Sequence, residues 1–253
     1  HHARVGYEKN HERLEVAVAL GGDPTTMWAG SLPLPPGIDE IAVSGVIRGE
    51  SVEMVKCKTI DLEVPAQAEV ILEGYVVPGE TRTEGPFGDH TGYYSPAEEY
   101  SVFHVTAITQ RVDAIYATTI VGRPPTEDFF MGKASERLML PALQLTLPEV
   151  VDINMPAEGI FHNLLLVSIR KDYPGHARKV MYALWGIGLL MLTKTIIVVD
   201  HDVDVQDISD VAWRVSANID PPHDMVFVDG PVDDLDHASS SPKFGGKVGI
   251  DAT

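Results

Sequence analysis

The sequence predicts a two-part chain: an antiparallel β domain, closed or split as a barrel, over residues 1–122, followed by an α/β layer domain over residues 123–253. Three observations predict it. Strand-like runs separated by Pro, Gly, Asp and Glu dominate the first half. Gly122-Arg123-Pro124-Pro125 then interrupts every periodic pattern and marks a boundary. From Glu127 onward the apolar period becomes helical, and helices and strands alternate to the end of the chain, which is the pattern of stacked α/β layers.

Leu14 to Leu20 alternates and is rich in valine, so it reads as a strand that Gly21-Gly22 ends before Asp23 caps a short helix from Pro24 to about Gly30. A second short helix follows Pro35-Pro36-Gly37, with Ile38, Ile41 and Ala42 at helical spacing, Glu40 on another side and Gly45 as its stop. Val52 to Thr59, Glu69 to Val77, Tyr100 to Gln110 and Ala114 to Val121 are the barrel's further strands. Glu127 to Leu147 is a helix with a stripe of Phe130, Ala134, Leu138 and Pro141, bent at the proline. Strands at Val150 to Ile153, Asn163 to Ile169, Thr195 to Val199 and Met225 to Val228 alternate with helices at Gly175 to about Leu192 and Ile208 to Ser216. Met181, Leu184, Trp185 and Leu189 form a core stripe. Asp200 to Asp207 resembles a calcium loop but has Val205 where the turn glycine belongs and no closing glutamate, so it reads as a loop and helix cap. Gly245-Gly246-Lys247 lacks phosphate-loop spacing and reads as a flexible turn.

Composition narrows the function. A formal charge of −18 over 253 residues opposes nucleic-acid binding, which needs clustered Lys and Arg. It does not exclude a small anionic substrate if an arginine, a metal or a backbone dipole offsets the field locally. The single cysteine, Cys57, rules out an internal disulfide, suits a reducing compartment and reads as packing. No apolar run reaches the roughly 18–20 residues of a membrane-spanning helix, so the expectation is a cytoplasmic protein.

The densest chemistry lies in Glu84-Gly85-Pro86-Phe87-Gly88-Asp89-His90-Thr91-Gly92-Tyr93-Tyr94. Its glycines and proline stop a regular strand and can turn Glu84 and Asp89 toward one cavity, where one ionised and one protonated carboxyl would divide the work of acid catalysis. A solvated surface hairpin is the competing reading.

That segment, with Val121-Gly122-Arg123-Pro124-Pro125, resembles the UbiD family of decarboxylases that use prenylated FMN. The same family's order is followed by Ala19-Leu20-Gly21-Gly22-Asp23-Pro24, Leu34-Pro35-Pro36-Gly37-Ile38-Asp39-Glu40, Val55-Lys56-Cys57-Lys58, Asp61-Leu62-Glu63-Val64-Pro65-Ala66 and the closing Gly245 to Thr253. The resemblance implies a flavin-reductase-like split barrel that binds the cofactor, and reversible, non-oxidative decarboxylation of an aromatic or α,β-unsaturated acid. Its Asp-His-Thr version looks closer to the 4-hydroxy-3-polyprenylbenzoate branch. On this resemblance Asp89 is the proton donor and Glu84 the acid that pairs with an arginine near the cofactor. Glu40 and His2 would hold Mn2+ or another divalent ion at the flavin phosphate, with K+ as a further cation. The residues alone favour Glu40 as a solvent-facing helix acid, and they leave His2 readable as part of a purification remnant and His90 as either a substrate contact or a brace. The family's arginine and asparagine ligand precede the part matched here, so neither role is assigned, and an additional domain is expected before His1. A homo-oligomer, dimer or hexamer, follows from the resemblance, as does a membrane-peripheral position if the substrate is polyprenylated. A flavin-binding or assembly module without catalysis is the alternative.

Overall fold

The computed structural model describes residues 13–32, 34 and 37–253. They form two compact units, one of His1–Pro86 with Ala97–Thr119, the other of Phe87–Pro96 with Ile120–Thr253. Residues 87–96, which a cut after residue 122 assigns to the first half, thus pack with the second.

In the first unit β1 (Leu14–Leu20), β4 (Val70–Glu84) and β5 (Glu98–Gln110) form an antiparallel sheet of order β1-β4-β5, beside a two-stranded pair of β2 (Met54–Lys56) and β3 (Glu63–Pro65). Among the described residues the sheet is open, which corrects the expectation of a closed barrel. Ala114 to Val121 is not a strand. Its β-branched and aromatic residues, Ile115, Tyr116 and Ile120, are all exposed, and strand propensity without a partner ladder does not make a strand. Gly74 marks a bulge in β4 where a side chain would collide with the His104 carbonyl, 1.9 Å from an ideal Cβ.

Two short helices, α1 (Pro24–Ala29) and α2 (Glu40–Arg48), follow β1. Asp23 Oδ1 accepts from Thr25 N at 2.7 Å and Asp39 Oδ1 from Ile41 N at 2.8 Å, so each helix has the acidic cap its sequence supplies. Helix α2 runs past Gly45 and stops at Gly49, whose φ of 72° is the left-handed C-cap conformation. Arg48 reaches back to Asp23 at 2.7 Å and ties the pair together. Cys57 packs with Val64, Ala68 and Ile71, as a small apolar residue would.

Glu73 is the buried carboxylate of this unit. It accepts from Lys58 N at 2.8 Å, Thr59 N at 2.7 Å and Thr59 Oγ1 at 2.6 Å. Burial pushes its pKa up, but these bonds together outweigh burial and hold it below the ordinary glutamate value. A depressed folded-state pKa contributes stability above the unfolded value, and that contribution is lost as pH falls through the folded one. Glu73→Gln should therefore destabilise by about 1–3 kcal/mol at pH 7. The stability gap to wild type should narrow as pH falls below the unfolded glutamate pKa and close only below the lower folded-state one, and a gap that persisted beyond that would place the effect elsewhere.

The second unit is a five-stranded mixed sheet of order β6-β7-β8-β10-β9. The strands are β6 (Val150–Asn154), β7 (Leu164–Ile169), β8 (Thr195–Asp200), β9 (Met225–Pro231) and β10 (Phe244–Ala252). β7, β8 and β10 run parallel, with β6 and β9 as antiparallel edges. The period of two sorts its core: Leu165, Val167 and Ile169 join Met181, Leu184, Ile196 and Val198 on one face, and Leu166 joins Val199, Val203, Val205 and Val211 on the other. Burial on both faces is why β7 and β8 read as unbroken apolar runs. The helices are α3 (Glu127–Thr146, with Pro141 inside it), α4 (His176–Trp185), α5 (Ile208–Asn218) and the single turn α6 (Pro221–Asp224). Asp207 caps α5, accepting from Ser209 N at 2.9 Å.

Two expectations change here. The helix expected to reach Leu192 ends at Trp185, because Gly186 caps it and Gly188, at φ 46°, turns the chain into a 3-10 segment that leaves Leu189 exposed. Gly245-Gly246-Lys247 is not a turn but the start of β10, a central strand. Glycine is needed at Gly249 of the same strand because a Cβ there would stand 2.5 Å from Met181 Sδ on α4. Lys247 is 4% exposed, donates to the carbonyls of Met191 and Thr193, and has its pKa pulled down to about 8 by burial and by Lys194.

Glu136 of α3 is the most deeply buried acid described in this unit, 2% exposed. It accepts from Met155 N at 2.6 Å and pairs with Lys133 at 3.1 Å and Arg137 at 2.7 Å. Arg137 continues to Asp152 at 2.7 Å, and Lys133 to Asn154 at 2.5 Å, which binds α3 to β6. Among the described residues no helix is long and apolar enough to cross a membrane.

Candidate active site

Within the second unit, residues 87–95 fold as a tight hairpin. Gly88 bridges Tyr94, Asp89 N donates to Tyr93 O at 3.1 Å, Gly92 N to Asp89 O at 2.9 Å, and Ser95 N to Phe87 O at 2.8 Å. Gly92 sits at φ 83°, where any side chain would be strained. The turn holds Asp89 and His90 on a fixed backbone, with side-chain exposures of only 13% and 11%.

Asp89 Oδ1 accepts two bonds from its neighbour, His90 N at 2.7 Å and Nδ1 at 2.8 Å. Its Oδ2 has no hydrogen-bond partner among the described residues. His90 Nε2 lies 2.8 Å from His162 Nε2. Asp89, His90 and His162 therefore form one continuous polar chain. His162 arrives on the connection between β6 and β7, where Ile160 (φ 53°) and Phe161 (φ 43°) adopt left-handed backbone that non-glycine residues rarely take. Such positions cost on the order of 1 kcal/mol each or more and persist where surrounding contacts enforce them. Phe161 supplies those contacts, packing edge-on to His162 with centroids 4.9 Å apart and close enough to α3 that a Cβ at Gly132 would stand 2.9 Å from its ring.

Burial lowers the pKa of His162 most; His90 lowers it further, while Asp233 and Asp236 act the other way. The net direction is down, which favours a neutral ring. Asp128, in the first turn of α3, has its pKa raised by burial, then by Glu127 and Asp89, with His90 opposing. A raised carboxyl pKa and a neutral imidazole beside Asp89 are what a proton-handling site needs. Next to this chain, Thr91, Gly92 and Tyr93 line a cavity of about 520 Å³ with Arg123, Glu158 and Ile160.

The other residues singled out in the sequence are placed differently. Glu84 ends β4 in the first unit, opposite Glu98, and is exposed without an ion pair among the described residues. Glu40 opens α2 and is exposed. His2 lies outside the described residues. No group of three or more His, Cys, Asp or Glu suited to a metal occurs among the described residues, so Glu40 would need donors from elsewhere. Sequence reasoning missed His162 and Asp128. Phe161-His162-Asn163 belongs to no motif and lies 72 residues from His90, so only the fold could pair them.

Two family models divide the chain, both of carboxy-lyase domains. The 3-octaprenyl-4-hydroxybenzoate carboxy-lyase Rift-related domain matches residues 1–124, and the corresponding C-terminal domain matches residues 129–252. The chain belongs to the UbiD family. It is 55% identical to an uncharacterized protein of Archaeoglobus fulgidus over 253 residues, 100% of this chain and 53% of that protein. Among solved structures it is similar to the UbiD-class enzyme HmfF from Pelotomaculum thermopropionicum in complex with FMN (31% identity, TM-score 0.86, 100% of this chain and 56% of the other). It is also similar to the closed form of vanillic acid decarboxylase from Sedimentibacter hydroxybenzoicus (29% identity, TM-score 0.91, 99% and 53%). The chain spans about half the length of the curated relatives it matches.

Proposed function

We propose that this chain carries the proton-donating part of a prenylated-FMN decarboxylase acting reversibly and without oxidation on an aromatic or α,β-unsaturated carboxylic acid, of the 4-hydroxy-3-polyprenylbenzoate type. The observation that carries this reading is Asp89, a nearly buried carboxylate on a rigid hairpin, with one oxygen held by His90 and the other open. The bound flavin would supply the electron sink that no side chain offers. This chain's residues do the rest. Asp89 Oδ2 holds a proton and gives it to the carbon that has lost its carboxylate, and the two bonds to Oδ1 stabilise the anion left behind. Glu84 is the family's second acid, and its partner would come from outside the described residues.

The residues fit the cofactor's surroundings in part: an oxygen ligand at Glu40, with His2 beside it by resemblance, suits a hard divalent ion such as Mn2+ at a phosphate, and K+ would be a further oxygen-bound cation. Glu40→Gln in the full-length protein should reduce metal-dependent flavin retention through gel filtration, read by flavin absorbance, and full retention would remove Glu40 from the site. The function itself is tested with full-length, flavin-loaded protein and a panel of aromatic acids in D2O. CO2 release with deuterium at the vacated carbon is expected; no release from any acid would overturn the reading.

A further inference from the structure

The backbone N–H of His162 donates to Ile160 O at 2.6 Å, and its ring meets His90. The two Nε2 atoms, 2.8 Å apart, can share only one proton, so one ring donates and the other accepts. Two neutral arrangements are possible. If His90 donated from Nε2, His162 would have to carry its own proton on Nδ1. That atom is buried and has no hydrogen-bond partner among the described residues. A buried N–H without an acceptor is rarer and costlier than a bare acceptor nitrogen without a donor. The opposite arrangement leaves no orphaned N–H: His162 donates from Nε2, His90 accepts at Nε2, and the proton of His90 stands on Nδ1, facing Asp89 Oδ1 at 2.8 Å. Oδ1 already accepts the backbone N–H of His90, consistent with an oxygen that accepts twice. The remaining charged groups that act on His162, Asp233 and Asp236, belong to the 233–236 loop and do not bond to either ring.

We infer that His162 is a positioning residue for the proton transfer: by donating Nε2–H to His90 it fixes His90 as the Nδ1–H tautomer, which keeps a donor on Asp89 Oδ1 and leaves Oδ2 to carry the acidic proton. This rests on the proposed function. In the step served, the Oδ2–H bond breaks, a C–H bond forms at the vacated carbon, and the negative charge stays on Asp89. There the His90 Nδ1–H bond becomes charge-assisted, roughly twice as strong as its neutral form.

The test separates this role from packing. His162→Phe keeps an aromatic ring and removes the donor, whereas His162→Gln loses the ring and keeps an amide N–H that can reach His90. In the full-length, flavin-loaded enzyme, His162→Phe should lower kcat about ten-fold or more with KM little changed, and His162→Gln should recover most of it. Equal loss in both, or wild-type kcat in His162→Phe, overturns the inference. Nitrogen-15 NMR of the wild-type protein decides it even if a variant does not fold. Bare-type Nε2 and protonated Nδ1 on His90, with a coupling across the Nε2 pair, are expected; a His90 protonated on Nε2, or no coupling, refutes the assignment. Failure of the proposed function leaves a different trace: Asp89→Asn retains turnover while the tautomers are as stated.

Discussion

Asp89→Asn in the full-length, flavin-loaded enzyme should lower kcat by about 10²- to 10⁴-fold, the usual worth of a positioned general acid, while flavin binding is unaffected. Asparagine keeps the size of the side chain and an oxygen for the His90 donors, so the hairpin should stay folded. It cannot give a proton. Over many turnovers, deuterium incorporation from solvent into product should fall by the same factor as CO2 release, because the vacated carbon must take its proton before product leaves and the next acid enters. Wild-type exchange in the variant would mean that another group, with Asp128 as the first to examine, delivers the proton.

The second large effect concerns stability. Glu136→Ala removes the acceptor at the centre of the α3–β6 junction and leaves Met155 N and two cations facing an apolar gap. Removing one partner of a buried ion pair typically costs about 3–5 kcal/mol. Lys133 and Arg137 are partly exposed and recover some solvation, so about 3 kcal/mol is expected, seen as a lower urea midpoint with an unchanged slope. A change under about 0.5 kcal/mol would show that the pairs are relaxed by water and that helix packing alone holds the junction.

Much of the second unit is legible in the sequence because its strands are buried on both faces and its helices carry one apolar stripe; those patterns have no other stable solution. β7, β8 and α5 follow directly. Two of the errors share a cause, since each depends on a neighbour distant in sequence, whereas the helix that ends at Trp185 is cut short by its own glycines. Ala114 to Val121 has strand composition but no partner ladder, and Gly245 to Lys247 has turn composition but lies in a strand between β8 and β9, where a Cβ at Gly245 would stand 2.4 Å from Ser239 Oγ. The candidate site divides the same way. Asp89 and His90 are visible because the turn residues that aim them are contiguous with them. His162 is invisible because a lone histidine beside a phenylalanine acquires meaning only when β6 and β7 bring it to the hairpin.

That arrangement sets how this protein can be dissected. The ten residues that carry Asp89 and His90 are spliced between two strands of one unit, yet belong by packing to the other. A gene truncated to residues 123–253 would retain the five-stranded sheet and its helices but strand His162 opposite an empty place. Adding residues 1–122 as a separate polypeptide would restore it only if that polypeptide inserts its hairpin from outside. Recovery of the His90–His162 signal on mixing the two fragments would therefore report noncovalent reassembly of the pair.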